Sequence, residues 1–87
     1  MTITLRGCTL KVIRDTGWSH VSVFGEIFGP GADDLIALLR GEVWAGRSVI
    51  VDLSRISSVS ESAIESINWI SALASEHELG FVMRTAR

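Results

Sequence analysis

Residues 49–67 read VIVDLSRISSVSESAIESI, and this stretch decides the fold because an apolar run passes into a serine-rich segment and then into a helical pattern. Four of its first five residues are apolar, which is typical of a central parallel strand covered on both faces. Asp52 and Ser54 mark the carboxyl end of that strand, which is predicted over residues 48–53. Open α/β sheets carry their functional loops at such ends. The polar loop that follows, up to a helix starting near Ser62, is therefore the first candidate for function.

The rest of the chain predicts one α/β domain over residues 1–87, with the order β-β-α-β-α-β and a mixed, mostly parallel sheet with flanking helices. In chain order the elements are a strand ending at Asp15, a tight turn at Thr16-Gly17, a strand over Trp18–Ile27, a helix after Gly29-Pro30-Gly31, the strand over 48–53, a helix over 62–78 and a strand that starts at Phe81. Residues 2–6 predict a further short strand. Asp33 and Asp34 are expected in the first turn of the first helix, where the helix dipole favours acidic side chains.

Composition and charge exclude several classes of protein. The 87 residues carry a net charge of −2 and no basic stripe, so no nucleic-acid partner is expected. No apolar run approaches the roughly 20 residues of a membrane span, and the N-terminal residues lack the pattern of a signal peptide, so we expect a cytoplasmic protein without membrane insertion. The single cysteine, Cys8, excludes an internal disulfide and a zinc set. The apolar share of 47% is compatible with a partner or homodimer interface and leaves the oligomeric state open.

Few reactive side chains could converge in a catalytic centre. His20 and His77 have no second ligand at metal-binding spacing, and the glycines between residues 25 and 31 do not form a phosphate-binding loop. The only lysine, Lys11, lies in the first strand of the hairpin. We therefore expect no catalytic residue, no metal and no cofactor.

The start of the second helix admits two registers with different consequences. In the first, Ser62 caps the helix and forms a capping box with Glu65. In the second, Ser60 is the cap, and Ser62 lies in the first turn with its hydroxyl directed outward. A capping serine is occupied by the helix, whereas a first-turn serine is accessible to a kinase.

Two motifs in this chain resemble those of the STAS domain, the family named for sulfate transporters and anti-sigma factor antagonists. Gly25-Glu26-Ile27 is similar to the family's Gly-Glu-Leu-Asp, which ends the strand before the first helix. Asp52-Leu53-Ser54 matches the family's Asp-Leu-Ser, and Ile56 and Val59 match the apolar pair that follows it. The resemblance covers roughly residues 10–85 and implies the STAS fold.

The family's Asp-Ser-Ser-Gly-Leu motif aligns with Ser60-Glu61-Ser62-Ala63-Ile64. Its third residue is the serine or threonine that is phosphorylated in relatives that regulate anti-sigma factors, so the resemblance implies phosphorylation at Ser62. Ser60 stands in place of the motif's leading aspartate, and Phe28 replaces the aspartate of the first motif. The chain ends soon after the last strand, where many relatives add a further helix, so we expect that final helix to be missing.

The resemblance implies a non-catalytic regulatory module of the anti-sigma factor antagonist type, which binds a kinase-type anti-sigma factor, a histidine-kinase-like ATPase. The expected partner-binding residues are Glu26, Ser57, Ser58, Ser60, Glu61 and Ser62. The alternative is a constitutive, unphosphorylated STAS subunit of an ABC lipid-transport system or of a stress-signalling complex. The altered serine motif and the high apolar share favour that alternative, and the sequence identifies neither the partner nor the upstream signal.

Overall fold

The computed structural model describes residues 1–85; residues 86 and 87, the last two of the expected domain, lie outside the described part. The elements are β1 (Thr2–Thr4), β2 (Cys8–Asp15), β3 (Trp18–Ile27), α1 (Gly29–Trp44), β4 (Ser48–Val59), α2 (Glu61–Glu76) and β5 (Phe81–Arg84). The strands form one sheet in the order β1-β2-β3-β4-β5, in which β1–β2 and β2–β3 are antiparallel and β3–β4 and β4–β5 are parallel. The α/β class and the mixed sheet are confirmed. The sheet is not mostly parallel as expected, because the short strand β1 adds a second antiparallel pair to balance the two parallel pairs.

Both helices cover the same face of the sheet, and the core lies between the two layers. Val49, Val51 and Leu53 of β4 point into that core and are buried. Ile50 and Asp52, which alternate with them, point to the other face and are only half-buried. The expectation that this strand is covered on both faces is therefore wrong, because no described element packs on the second face.

Strand β4 does not end near Leu53 but continues to Val59, so much of the expected polar loop is strand. The extension is possible because β3 runs on to Ile27 and offers hydrogen-bond partners along its whole length. The pairing passes two irregularities, and at the first of them the β4 residues 53 and 54 lie opposite the single residue 23 of β3. There the Asp52 carboxylate accepts a hydrogen bond from the Ser54 N–H at 2.9 Å. The Asp-Leu-Ser motif thus stabilises a β-bulge within the strand.

Helix α1 begins at Gly29, four residues before Asp33, so the expectation that Asp33 and Asp34 lie in its first turn is wrong. The helix starts early because Pro30 fits the first turn, where its missing N–H costs no helical hydrogen bond. Gly31 lies in the same turn and passes very close to the backbone of Arg6, so that a Cβ there would lie 2.0 Å from the Arg6 carbonyl oxygen. This glycine therefore sets how closely α1 approaches the segment between β1 and β2.

Helix α2 starts at Glu61 and ends at Glu76, two residues before the predicted end. It ends there because Glu78 takes a left-handed backbone conformation, with φ of 59°. Its buried side chains are Ala63, Ile67, Ile70 and Ala74. Ile64 and Leu73, which the periodicity also places in the buried set, are half-buried at the edge of the core.

Candidate functional site

The first turn of α2 settles which serine is the cap. The Ser60 hydroxyl accepts a hydrogen bond from the Ala63 N–H at 3.3 Å, and the Ser60 carbonyl accepts another from the Ile64 N–H. Ser62 lies within the helix and is exposed, with its Oγ 3.3 Å from the Ser60 Oγ. Of the two registers that the sequence left open, the structure adopts the one in which Ser60 caps the helix. Ser62 therefore presents its hydroxyl at the protein surface.

Ser62 lines a cleft between the N-terminal ends of α1 and α2. The cleft measures about 190 Å³, and its lining residues are Gly29, Ala32, Asp33, Ile36, Ser62, Ala63 and Ser66. Asp33 is the only charged residue among them, and the exposed Glu61 and Glu65 lie on the same turns of α2 as Ser62. The helix dipole at this end favours negative charge, whereas the three carboxylates oppose it. A phosphate on Ser62 would therefore be tolerated by the helix and would leave this end strongly acidic.

Strands β3 and β4 bring the other candidate residues to the same end of the molecule. Glu26 is exposed and lies opposite Ser58 in the parallel ladder. Ser57 falls at the second irregularity of the ladder, where its hydroxyl donates a hydrogen bond to the Gly25 carbonyl at 3.3 Å. The Ser60 N–H donates to the Ile27 carbonyl at 3.0 Å, which fixes the start of α2 to the end of β3.

All six residues of the predicted interface therefore lie on one edge of the protein, but they do not form a loop. Ser57 and Ser58 belong to β4, Ser60 is the cap, and Glu61 and Ser62 belong to α2. The physical reason is the length of β3, which keeps β4 paired up to the residue before the cap. The surface is held by backbone hydrogen bonds, so a partner would meet a preformed edge.

Phe28 adds an apolar side chain to this edge. It is the N-cap of α1, makes no side-chain capping hydrogen bond, and is 51% exposed. Sequence reasoning noted it only as the residue that stands where the resembling family has aspartate. The ring lies beside Gly7, between β1 and β2, and an exposed aromatic ring is a feature typical of protein interfaces.

A buried polar network at the opposite end of β3 was missed by sequence reasoning. Glu42 of α1 is 8% exposed, and its Oε1 accepts hydrogen bonds from Arg14 at 2.6 Å and from Ser19 at 2.8 Å. Arg47 in turn donates to the Ser19 hydroxyl at 2.7 Å and to the Trp18 carbonyl. The hydrogen bond from Arg14, with smaller help from Ser19, lowers the pKa of Glu42 although burial opposes this. The network ties α1 to the hairpin, and its residues lie too far apart in sequence to form a motif.

The described residues contain no group of three His, Cys, Asp or Glu side chains placed to hold a metal ion. Neither α1 nor α2 is long and apolar enough to cross a membrane. The thiol of Cys8 is buried, and that burial, followed by the charge of Asp34, raises its pKa. The polar side chains that line the Ser62 cleft are those of Asp33, Ser62 and Ser66, and no histidine, cysteine or lysine lies among its lining residues.

No family model and no curated protein matches this sequence. Comparison of folds does find solved relatives. An anti-sigma factor antagonist from Mycobacterium paratuberculosis superposes with a TM-score of 0.71 at 27% identity, over 90% of this chain and 67% of that one. An anti-sigma factor antagonist STAS domain from Rhodobacter sphaeroides superposes with a TM-score of 0.63 at 17% identity, over 90% of this chain and 84% of that one. The chain has the fold of a STAS domain.

The same fold occurs as part of a longer protein. Mglu superposes with a TM-score of 0.72 at 16% identity, over 84% of this chain but only 18% of the Mglu chain. The fold of this chain therefore also occurs as one part of a larger molecule. What this chain does must be argued from its own surface residues.

Proposed function

We propose that this chain is a non-catalytic, protein-binding regulator of transcription of the anti-sigma factor antagonist type, acting in the bacterial cytoplasm. Its partner would be a kinase-type anti-sigma factor, a histidine-kinase-like ATPase, and phosphorylation of Ser62 would switch the binding. The observation that carries the proposal is the exposed Ser62 hydroxyl in the first turn of α2, next to a cap that another serine supplies. Further support comes from the fold shared with two anti-sigma factor antagonists.

The electrostatics of the site explain how a phosphate would act on binding and not on folding. A phosphoserine carries a charge of about −1.5 to −2 near neutral pH. At the N-terminal end of α2 the helix dipole partly offsets that charge, so the domain stays folded. Asp33, Glu61 and Glu65 already make this end acidic. A partner that covers it would have to remove water from the phosphate while three nearby carboxylates repel the added charge, so binding would weaken. The unmodified serine, in contrast, can be buried by a partner at little cost.

The unmodified edge offers both polar and apolar contacts to a partner. Exposed Glu26, Ser57 and Ser58 provide hydrogen-bonding groups along the strand ends, and Phe28, which directly follows β3, provides exposed apolar area. Interfaces typically combine an aromatic contact with surrounding polar residues. We therefore assign the partner-binding surface to Glu26, Phe28 and the β4–α2 junction.

The test begins with purification of the tagged protein from its own cells and identification of the bound protein by mass spectrometry. The dissociation constant of the purified pair is then measured by calorimetry for the wild type, Ser62→Asp, Ser62→Ala and Ser75→Asp. Ser75 is an exposed serine at the far end of α2 and serves as the matched control. We expect Ser62→Asp to weaken binding at least about tenfold, equivalent to about 1.4 kcal/mol, and the other two variants to bind like the wild type.

Two outcomes would contradict the proposal. If Ser62→Asp binds an ATPase of the anti-sigma kind as tightly as the wild type, the phosphorylation switch is wrong. If the bound protein is instead a transporter ATPase or a large scaffold and all variants bind equally, the chain is a constitutive subunit. In that case the contact between the Ser60 and Ser62 hydroxyls would only stabilise the start of α2, and Ser62 would have no regulatory role.

A further inference from the structure

The face of the sheet that the helices leave open carries rows of side chains that run across the strands, and we call it the sheet face. Over β2 to β5, three of these rows are Ile13, His20, Ile50 and Val82; Lys11, Ser22, Asp52 and Arg84; and Thr9, Phe24 and Arg55. The first row is largely apolar, and its outer members Ile13 and Val82 are 52% and 42% exposed. A largely apolar row that is exposed at both of its ends is typical of a surface that another element covers.

The other two rows make this face basic around a shallow cleft. Lys11 and Arg55 line the cleft together with Asp52, and Arg84 lies beside Asp52 in the same row. The Arg55 guanidinium lies over the Phe24 ring at 6.0 Å from its centroid. At this cleft three exposed cations thus face a single carboxylate, and another carboxylate on this face, that of Asp15, lies 3.3 Å from the His20 Nε2.

The outer surface of α2 has the opposite charge. Glu61, Glu65, Trp69 and Glu76 follow one another at intervals of four, four and seven residues, which places them on one side of the helix, and all four are exposed. We call this line of residues the α2 ridge. Trp69 lies in its middle and is 63% exposed, and α2 contains no Lys or Arg. A large exposed tryptophan between acidic side chains is typical of a binding hot spot.

The spacing of the two surfaces matches as well as their charge. Positions four residues apart on the α2 ridge are separated by about 6 Å, because each residue of a helix rises 1.5 Å. Neighbouring rows of the sheet face are about 6.7 Å apart, because side chains on one face of a strand recur every second residue. A helix laid along the strands with Trp69 on the apolar row would place Glu65 over the second row and Glu61 over the third. Those two rows hold the three cations of the sheet face.

We propose that the sheet face of one copy of this chain binds the α2 ridge of a second copy. The second copy would supply a layer over β4 and β5, with Trp69 covering Ile50 and Val82 and with Glu65 and Glu61 beside Arg84 and Arg55. The two surfaces differ, so the contact is heterologous and leaves one unused surface at each end of a dimer. Association would therefore continue beyond two copies as concentration rises. Because one helix on one sheet face is a small interface, and because its ion pairs are exposed, the binding would be weak and sensitive to salt.

The experiment is sedimentation velocity on the purified chain from about 10 µM to about 1 mM, in low and in high salt. We expect a weight-average mass that rises past that of a dimer in low salt and falls toward the monomer in high salt. Arg84→Glu blocks the sheet face and Trp69→Glu blocks the α2 ridge, and both positions are exposed, so circular dichroism should report an unchanged fold. Each variant alone should associate at least about tenfold more weakly than the wild type. Arg6→Glu, which makes the same charge change outside both surfaces, is the matched control and should associate like the wild type.

Mixing the two blocked variants distinguishes this contact from a symmetric dimer. Each variant keeps one intact surface, so an equimolar mixture should form a dimer and stop there. If Trp69→Glu alone still dimerises while Arg84→Glu does not, the sheet face pairs with itself and the proposal is wrong. A monomer at every concentration in low salt would also overturn it. None of these outcomes depends on Ser62 or on the proposed regulatory partner.

Discussion

Since Ser60 caps α2 and Ser62 lies in its first turn, replacing each serine by alanine should change the stability of the protein by different amounts. Ser60→Ala removes the hydroxyl that accepts from the Ala63 N–H, and loss of an N-cap costs about 0.5–2 kcal/mol. The observed hydrogen bond is long, at 3.3 Å, so we expect the free energy of unfolding to fall by about 1 kcal/mol. Ser62→Ala replaces an exposed first-turn serine by the best helix former, and should change the free energy of unfolding by less than about 0.5 kcal/mol.

The assay is urea unfolding followed by circular dichroism, with thermal unfolding as a second measurement. A loss of 1 kcal/mol should lower the Tm of a domain of this size by about 4–8 °C. Ser60→Asp serves as a control, because aspartate is also a good cap and its charge is favourable at a helix start, so stability should be kept. If Ser62→Ala destabilised the protein more than Ser60→Ala, Ser62 would be the cap, and the argument for an accessible phosphorylation site would fail.

Three further predictions concern the rest of the fold. Gly31→Ala should destabilise the protein by about 1–3 kcal/mol, because its Cβ would meet the Arg6 carbonyl oxygen. Gly41→Ala, in the same helix with open space around it, should stabilise the protein by about 0.5–1 kcal/mol. Equal effects of the two substitutions in urea unfolding would contradict the close approach at Gly31. Because folding lowers the pKa of Glu42, its contribution to stability is complete above its ordinary pKa of 4.5 and is lost as the pH falls through the lower folded value. Unfolding measured between pH 7 and pH 3 should therefore depend less on pH in Glu42→Gln, and an unchanged pH dependence would refute this. Cys8 should react with a thiol reagent at least about tenfold more slowly in the folded protein than in urea, since it is buried and its pKa is raised; equal rates would show an accessible thiol.

Local patterns were sufficient for most of the architecture. The turn at Thr16-Gly17 predicts the hairpin, and Gly17 has the positive φ, 77°, that such turns require. Strand β3 has the predicted bounds, and the resemblance to STAS domains agrees with the solved relatives. These features depend on short-range chemistry, which a single sequence displays.

The features that sequence reasoning missed depend on contacts between distant residues. The extension of β4 to Val59 requires the far end of β3 as a partner, and nothing in the polar segment itself indicates it. Ile50 continues an apolar run that is typical of a strand buried on both sides, yet it faces the uncovered side of the sheet. The choice of Ser60 as cap follows from where β4 ends, since the Ser60 N–H bonds to Ile27. The roles of Glu26, Ser57 and Ser58 in binding stay predictions.

The central claim is that phosphate on Ser62 controls binding to a partner, and phosphopeptide mapping of the native protein tests it most directly. The protein is purified from its own cells and separated by size exclusion into partner-bound and free fractions, and the occupancy of Ser62 is measured in each by mass spectrometry. The account predicts phosphate on Ser62 in the free fraction and almost none in the bound fraction. Equal occupancy in the two fractions, or phosphate on another serine alone, would contradict it.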